Sequence, residues 1–363
     1  MGVSFTDPQT GYVSGSSSQG SLLLQTTNGG ANWTNHASGS AMFMTVSSES
    51  TKVSAAAGMS LLNGNVDHYT QDGENWFASE QRMIFTACLD SESLGNGVFH
   101  FYGQFTSPTK KCDGMAVSTN GGRNSTLVSY SARTSVRYGS FVSPQVGYIA
   151  GGSWPETTAS SKRLRGQGAR LLSARLLLDQ SGVVHAVHAL DDLEERTDID
   201  PAWELWKNVI QKTTDGGATW TTVVNETSVA GLGGYYPNGL SFVDENNGWS
   251  AQEGNAASGE MHARIQHTSD GGLTWDTQYN CVDCSLFRVV MADAKFGFAV
   301  GGIRASYGFD PLILNTQDGG ETWNVDDGEL TKLYVNNVAI LSNGDAYATA
   351  FTPYQTSSVL AFN

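Results

Sequence analysis

Short runs of alternating apolar and polar residues, separated by glycine-bearing turns, recur along the chain. Val3-Ser4-Phe5-Thr6-Asp7 followed by Gly11-Tyr12-Val13-Ser14-Gly15 is one such couplet. The same form returns at Tyr138-Gly139-Ser140-Phe141-Val142 with Gly147-Tyr148-Ile149-Ala150-Gly151. It returns again at Leu240-Ser241-Phe242-Val243-Asp244 with Gly248-Trp249-Ser250, and at Val289-Val290-Met291-Ala292-Asp293 with Gly297-Phe298-Ala299-Val300-Gly301. Period-two alternation over so few residues predicts half-buried strands, and the intervening turn predicts that they pair as hairpins. Near the C-terminal end, residues 337–341 and 345–349 read as the first two strands of a last unit, and 358–362 as its third.

Between these couplets lies a second pattern, present six times: Thr or Ser, any residue, Asp or Asn, Gly, Gly, any residue, Thr or Asn, Trp. Four copies, at 26–33, 213–220, 268–275 and 316–323, are complete; that at 70–76 is one residue shorter, and that at 118–125 ends in Ser125 instead of Trp. In such a turn the Asp or Asn accepts hydrogen bonds from nearby backbone N–H groups, and glycine supplies positive φ. The Thr hydroxyl closes the turn from the other side, and the Trp covers apolar surface of a neighbouring repeat. Asn28, Asp72, Asn120, Asp215, Asp270 and Asp318, with Trp33, Trp76, Trp220, Trp275 and Trp323, are therefore read as structural. The Asp or Asn positions are 44, 48, 95, 55 and 48 residues apart. A period near 48 fits a four-stranded propeller blade. The 95-residue gap holds a single couplet, so it is one blade carrying an insertion at residues 153–206. The expectation is an all-β, seven-bladed propeller in one domain over residues 1–363, with the insertion in blade four and a fourth strand missing from blade seven.

The eight-residue pattern resembles the Asp-box, or bacterial neuraminidase repeat. Sialidases, xyloglucan-active glycoside hydrolases, sortilin-type receptors and the photosystem II stability/assembly factor family share it. With its couplets, the chain looks most like the last group, over nearly all its length outside the insertion. The resemblance implies a propeller and leaves activity open, because propellers host unrelated functions. The Arg-Ile-Pro motif that carries the first carboxylate-binding arginine of sialidases is absent, and no Arg precedes Arg82.

Composition narrows the partners. A formal net charge of −15 argues against nucleic acid and against anionic lipid, which need clustered Lys and Arg. No apolar run approaches the roughly 20 residues of a membrane helix. The first residues show no secretory leader, and although they match a myristoylation pattern, Val3 and Phe5 read as the inward face of a strand. Sequons at Asn32, Asn124 and Asn225 tilt the expectation toward a secreted protein or an organelle lumen. Cys281-Val282-Asp283-Cys284 is read as a short disulfide or two free thiols, since a redox centre wants a helix N-terminus. Cys88 and Cys112 are expected at opposite ends of blade three.

The repeat turns occupy one face of a propeller, so function is expected on the other, whose loops vary in length. Candidate ligand-binding residues there are Tyr102, Lys110, Lys111, Tyr235, Tyr236, His262, Arg304, Tyr307 and Tyr354, aromatics and charges suited to a glycan or a peptide. A glycoside hydrolase needs two carboxyl groups flanking a cleft; Glu253 and Asp310 are the candidates. In the insertion, Leu and Arg spacing permits an amphipathic helix, on which His185 and His188 would share a face without a third ligand. No metal or cofactor is expected. The leading expectation is a monomeric, non-enzymatic binding or assembly scaffold for a protein or glycan partner, and the alternative is a secreted glycoside hydrolase.

Overall fold

The computed structural model describes the whole chain except residues 18–19, 38–41, 60–66, 81–83, 107–110, 132–134, 154–174, 179–183, 188–204, 230–231, 307, 327–331, 352–356 and 363. Among the described residues there are strands and no helix. Seven antiparallel sheets follow one another along the chain, six with four strands and the last with three. Blade one comprises Val3–Phe5, Gly11–Ser17, Gly20–Thr26 and Thr34–Asn35; blade two Met42–Ser48, Ser54–Met59, His68–Thr70 and Phe77–Ala78. Blade three comprises Ile84–Gly95, Val98–Thr106, Lys111–Ser118 and Thr126–Ser131; blade four Ser135–Phe141, Gly147–Ser153, Leu205–Thr213 and Thr221–Val229. Blade five comprises Gly233–Phe242, Gly248–Ala256, Met261–Thr268 and Asp276–Val282; blade six Cys284–Met291, Gly297–Ala305, Gly308–Thr316 and Asn324–Val325; blade seven Tyr334–Ile340, Ala346–Phe351 and Ser357–Phe362. The first strand of each blade lies beside that of the next, and blade seven returns to blade one.

The core sits between the blades. Seven clusters of buried side chains fill the seven seams, from Tyr12, Leu23, Phe43 and Val46 between blades one and two to Phe5, Val13, Leu341 and Tyr347 between seven and one. Val3 and Phe5 face inward, as alternation predicts. The repeat turns have the geometry their sequence requires. Asp215 Oδ1 accepts from Thr219 N at 2.8 Å, while the Thr213 hydroxyl donates to Asp215 and accepts from Gly217 N at 2.9 Å. Each Trp packs into the seam with the preceding blade; Trp76 meets Tyr12 of blade one edge-on, while Trp220 and Trp275 meet Phe141 and Phe242 of their own first strands likewise. The second-strand aromatic reaches the other way. Tyr148 donates to Glu245 O and Gly271 O of blade five, and Trp249 to Gly319 O of blade six. The seams between blades one and two, four and five, and five and six are thus each tied by one ring from either side.

Two expectations change. Within residues 153–206, Arg175–Leu178 pairs with Val184–Val187 as an antiparallel hairpin, where Leu and Arg spacing permits a helix; segments of four residues are short for a helix, and the β-branched valines favour strand. His185 is therefore on a strand, and His188 lies outside the described residues. Trp206 belongs to the third strand of blade four, since Gly147–Ser153 pairs directly with Leu205–Thr213. Cys88 and Cys112 are not at opposite ends of their blade. They pair with Gly103 and Phe105 of the intervening strand, about 10 Å apart by strand spacing and too far for a bond; Cys88 is a free, buried thiol. Cys281 and Cys284 are joined, with Cα atoms 6.0 Å apart.

A candidate binding site at the mouth of the channel

In six blades the pairing of first and second strands slips by a residue, leaving Met44, Leu89, Arg137, Asn238, Phe287 and Asn336 as bulged positions. A bulge bends the strand and re-aims its side chains. It also brings the two backbones together, which explains glycines 58, 103, 151 and 301: a Cβ at any of them would collide with a first-strand carbonyl oxygen.

The bulges place charge on the propeller axis. Arg288 of blade six binds Asp90 of blade three at 2.9 Å, with both side chains largely buried. These blades are not neighbours in the ring, so the pair crosses the channel. Arg288 lies over Tyr138 of blade four at 5.4 Å, and Asp90 also accepts from Gly139 N. Burial pushes the Asp90 carboxyl up, and the Arg288 charge opposes that shift. Beside it, Glu92 accepts from Tyr102 Oη and from Phe141 N. This buried network forms a floor across the channel.

Toward the loop face the walls are aromatic. Arg137 lies 5.4 Å from the centre of the Tyr236 ring, which stacks on Trp206 at 5.9 Å. On the far side Tyr334 is packed among Phe287, Phe309 and Phe351, with ring centres 4.5 to 5.0 Å away. Glu253 sits opposite Tyr236 in the sheet register. Burial pushes its carboxyl up to about 8, against the pull of Arg137. At neutral pH this cup therefore holds a cation, a neutral acid and aromatic faces.

The sequence candidates divide. Tyr236 and Glu253 lie in the cup. Tyr235 is just outside, stacked on His262 at 4.4 Å and covered by Arg264 at 3.9 Å; burial lowers the His262 pKa. Tyr102 is a correction: it is fully buried in the seam between blades three and four, not on a loop, because its strand continues through Thr106. Arg304 is exposed, and its N–H donates to Asp283 O. Asp310 accepts from Lys332 N at 3.0 Å. Lys111 opens the third strand of blade three. Lys110, Tyr307 and Tyr354 lie outside the described residues. Asn32 and Asn225 are exposed, whereas Asn124 is half-buried. Asp90, Arg137, Trp206, Arg288 and Tyr334 were not singled out from sequence. Their signal was there: three are charged residues inside first strands, where a propeller calls for apolar ones.

No protein-family model matches the sequence, and no curated protein matches it. Solved structures do. A structure described as YCF48 bound to D1 peptide is 14% identical, covers 100% of this chain and 92% of its own, and gives a TM-score of 0.59. YCF48 from Cyanidioschyzon merolae is also 14% identical, covering 100% and 95% with a TM-score of 0.54. The GH74 xyloglucanase from Xanthomonas campestris, 11% identical, covers 99% of this chain but 53% of its own, at a TM-score of 0.56. An ulvan lyase of polysaccharide lyase family PL25, bound to a glucuronate–rhamnose sulfate unit, is 9% identical and covers 98% and 90% at 0.58. At these identities the likeness is one of architecture: the chain has the β-propeller fold shared by the peptide-bound and the polysaccharide-active neighbours alike.

Proposed function

We propose that this chain is a non-enzymatic binding propeller that receives a protein partner at the loop-face cup. One observation carries the reading. The carboxylates on the axis are occupied or neutral: Asp90 is paired with Arg288, Glu92 holds Tyr102 and Phe141 N, and Glu253 keeps its proton to about pH 8. Glycoside hydrolysis needs one proton donor and one free base or nucleophile about 5–9.5 Å away. Glu253 fits the donor, and no described residue of the cup supplies the second group. One structural neighbour is a propeller in complex with a peptide, which is consistent with a protein partner here. The whole chain is taken as one domain, with the excursion from blade four falling between the strand residues Ser153 and Leu205. Seven seams closed within one chain suit a monomer. Exposed sequons at Asn32 and Asn225, with a disulfide, suit secretion or an organelle lumen.

The second reading is a glycoside hydrolase or lyase acting on a glycan, favoured by the raised Glu253 and by the polysaccharide-active neighbours. A photo-crosslinking residue in place of Tyr236 separates the two. One discrete protein adduct, lost in an Arg137→Glu background, supports the binding reading. Turnover of a glycoside or polysaccharide that disappears in Glu253→Gln overturns it.

A further inference from the structure

The seam between blades five and six carries a connection that no other described seam has. Blade five ends at Val282 and blade six begins at Cys284, so Asp283 alone makes the crossing. Asp283 is left-handed, with φ 55, a conformation disfavoured for a residue with a Cβ. Its backbone is held from both sides. The Asp283 N–H donates to Met261 O of blade five at 2.7 Å, and its carbonyl accepts from Arg304 N of blade six at 2.6 Å. The Cys281–Cys284 disulfide closes around this residue. Val282 and Asp283 stand exposed at the tip, Cys281 is partly exposed and Cys284 is buried.

A bridge across so short a loop removes little freedom from the unfolded chain, so chain stability alone is a weak reason for it. Nor is the pair built as an oxidoreductase centre, since no helix N-terminus is present among the described residues to favour a thiolate. What the bridge does control is local. Cys284 opens the strand that supplies Phe287 to the wall of the cup and Arg288 to its floor. In the same strand, Leu286 O accepts from Asn238 of blade five.

We propose that Cys281–Cys284 is a thiol–disulfide exchange site for a dithiol reductant, and that reduction loosens the loop-face cup. The regulatory half rests on the binding role of the cup; the exchange chemistry does not. A thiolate of the reductant attacks Cys281 Sγ at the exposed turn. The S–S bond breaks, its electron pair leaves on Cys284 Sγ, and that thiolate takes a proton. The second thiol of the reductant then attacks the mixed disulfide, closing the reductant's own disulfide and releasing Cys281 as a thiol. Two electrons pass to the protein, and the dithiol is oxidised. Asp283 is then free to leave its left-handed turn, and the start of the blade-six strand loses its anchor.

The test uses the folded wild-type chain with dithiothreitol, against glutathione at equal thiol concentration, followed by alkylation and peptide mass analysis. Dithiothreitol should expose Cys281 and Cys284 together while Cys88 stays unmodified, and glutathione should do so more slowly. On reduction, hydrogen exchange should quicken roughly tenfold at the Asp283 and Arg304 amides, and extend to Phe287 and Arg288. The Cys281→Ser/Cys284→Ser double variant should show the reduced pattern without reductant. Modification only after unfolding would overturn the exchange site, and modification that leaves exchange at Phe287 and Arg288 unchanged would overturn the regulation. Exchange needs no partner, so a failed crosslink at Tyr236 sinks the binding reading while leaving this result to stand on its own.

Discussion

Asp90, Arg137 and Arg288 occupy first strands whose other buried positions are uncharged, such as Ala87, Cys88, Val136, Phe141, Leu286 and Val289. Burying a charge is tolerated only with a partner, and removing one member of a buried pair strands the other. Arg288→Met should therefore cost about 3–5 kcal/mol in chemical denaturation, whereas Asp90→Leu combined with Arg288→Met should return most of that loss. Equal costs for the single and double variants would mean that the pair does not cross the channel. Glu253 makes the opposite prediction. Its folded pKa, about 8, lies above the 4.5 of a free glutamate, so the folded state holds the proton more tightly than the unfolded state. Stability from this group is complete below about pH 4.5 and falls as pH rises through 8. Glu253→Gln should flatten the dependence of unfolding midpoint on pH over that interval and raise the midpoint near pH 8.

The repeat turn is the unit from which the blades are made, and its hydroxyl is as important as its carboxylate. Thr213 is buried, and its oxygen serves both Gly217 N and Asp215. Thr213→Val keeps the shape and removes both bonds, so it should cost about 1–3 kcal/mol, read as a lower midpoint in urea; Thr219→Val, at the exposed end of the same turn, should cost less. These turns were legible because Asp, Gly and Thr each have one geometric task at a fixed offset. The seams were legible too, since Gly-Tyr and Gly-Trp couplets announce a second strand and its outward ring. The cup was not. Its residues come from bulges, and a bulge is a property of two paired strands that one strand's alternation does not display. Tyr102 misled because its strand runs on through Thr106, which turns a residue read as loop into core. The hairpin at Arg175–Leu178 and Val184–Val187 misled because four residues of Leu and Arg satisfy helical and strand periods equally.

At the scale of the ring, the closure between blades seven and one uses side chains. Phe5 stacks on Tyr347 at 3.6 Å, Tyr347 donates to Pro8 O at 3.2 Å, and Asn336 and Asn337 donate to Met1 O. Such a closure is a single contact set on which the other six seams depend, so its protonation environment and theirs should act on one cooperative transition. Two classes of carboxyl then set the pH profile of the whole molecule. In the repeat turns, hydrogen bonds from Thr274 hold Asp270 at about 2, and those from Thr322 hold Asp318 at about 2. A depressed carboxyl contributes stability that is full above the unfolded value near 3.8 and is lost as pH falls through 2. Asp67 is the reverse: it is buried, and burial pushes it up to about 6 against the pull of hydrogen bonds from its own backbone and from Ser79. Its folded pKa exceeds the unfolded value, so its penalty begins near pH 4 and is complete above 6, about 3 kcal/mol at 1.36 kcal/mol per unit. The two slopes have opposite signs and meet near pH 4. The unfolding midpoint of the wild type should therefore peak in mildly acidic solution, fall steeply below pH 3 and fall again between pH 4 and 8. Asp67→Asn should remove much of the upper slope without touching the lower one. A midpoint that instead rises steadily from pH 4 to 8 would show that Asp67 and Glu253 are solvated in the folded ring.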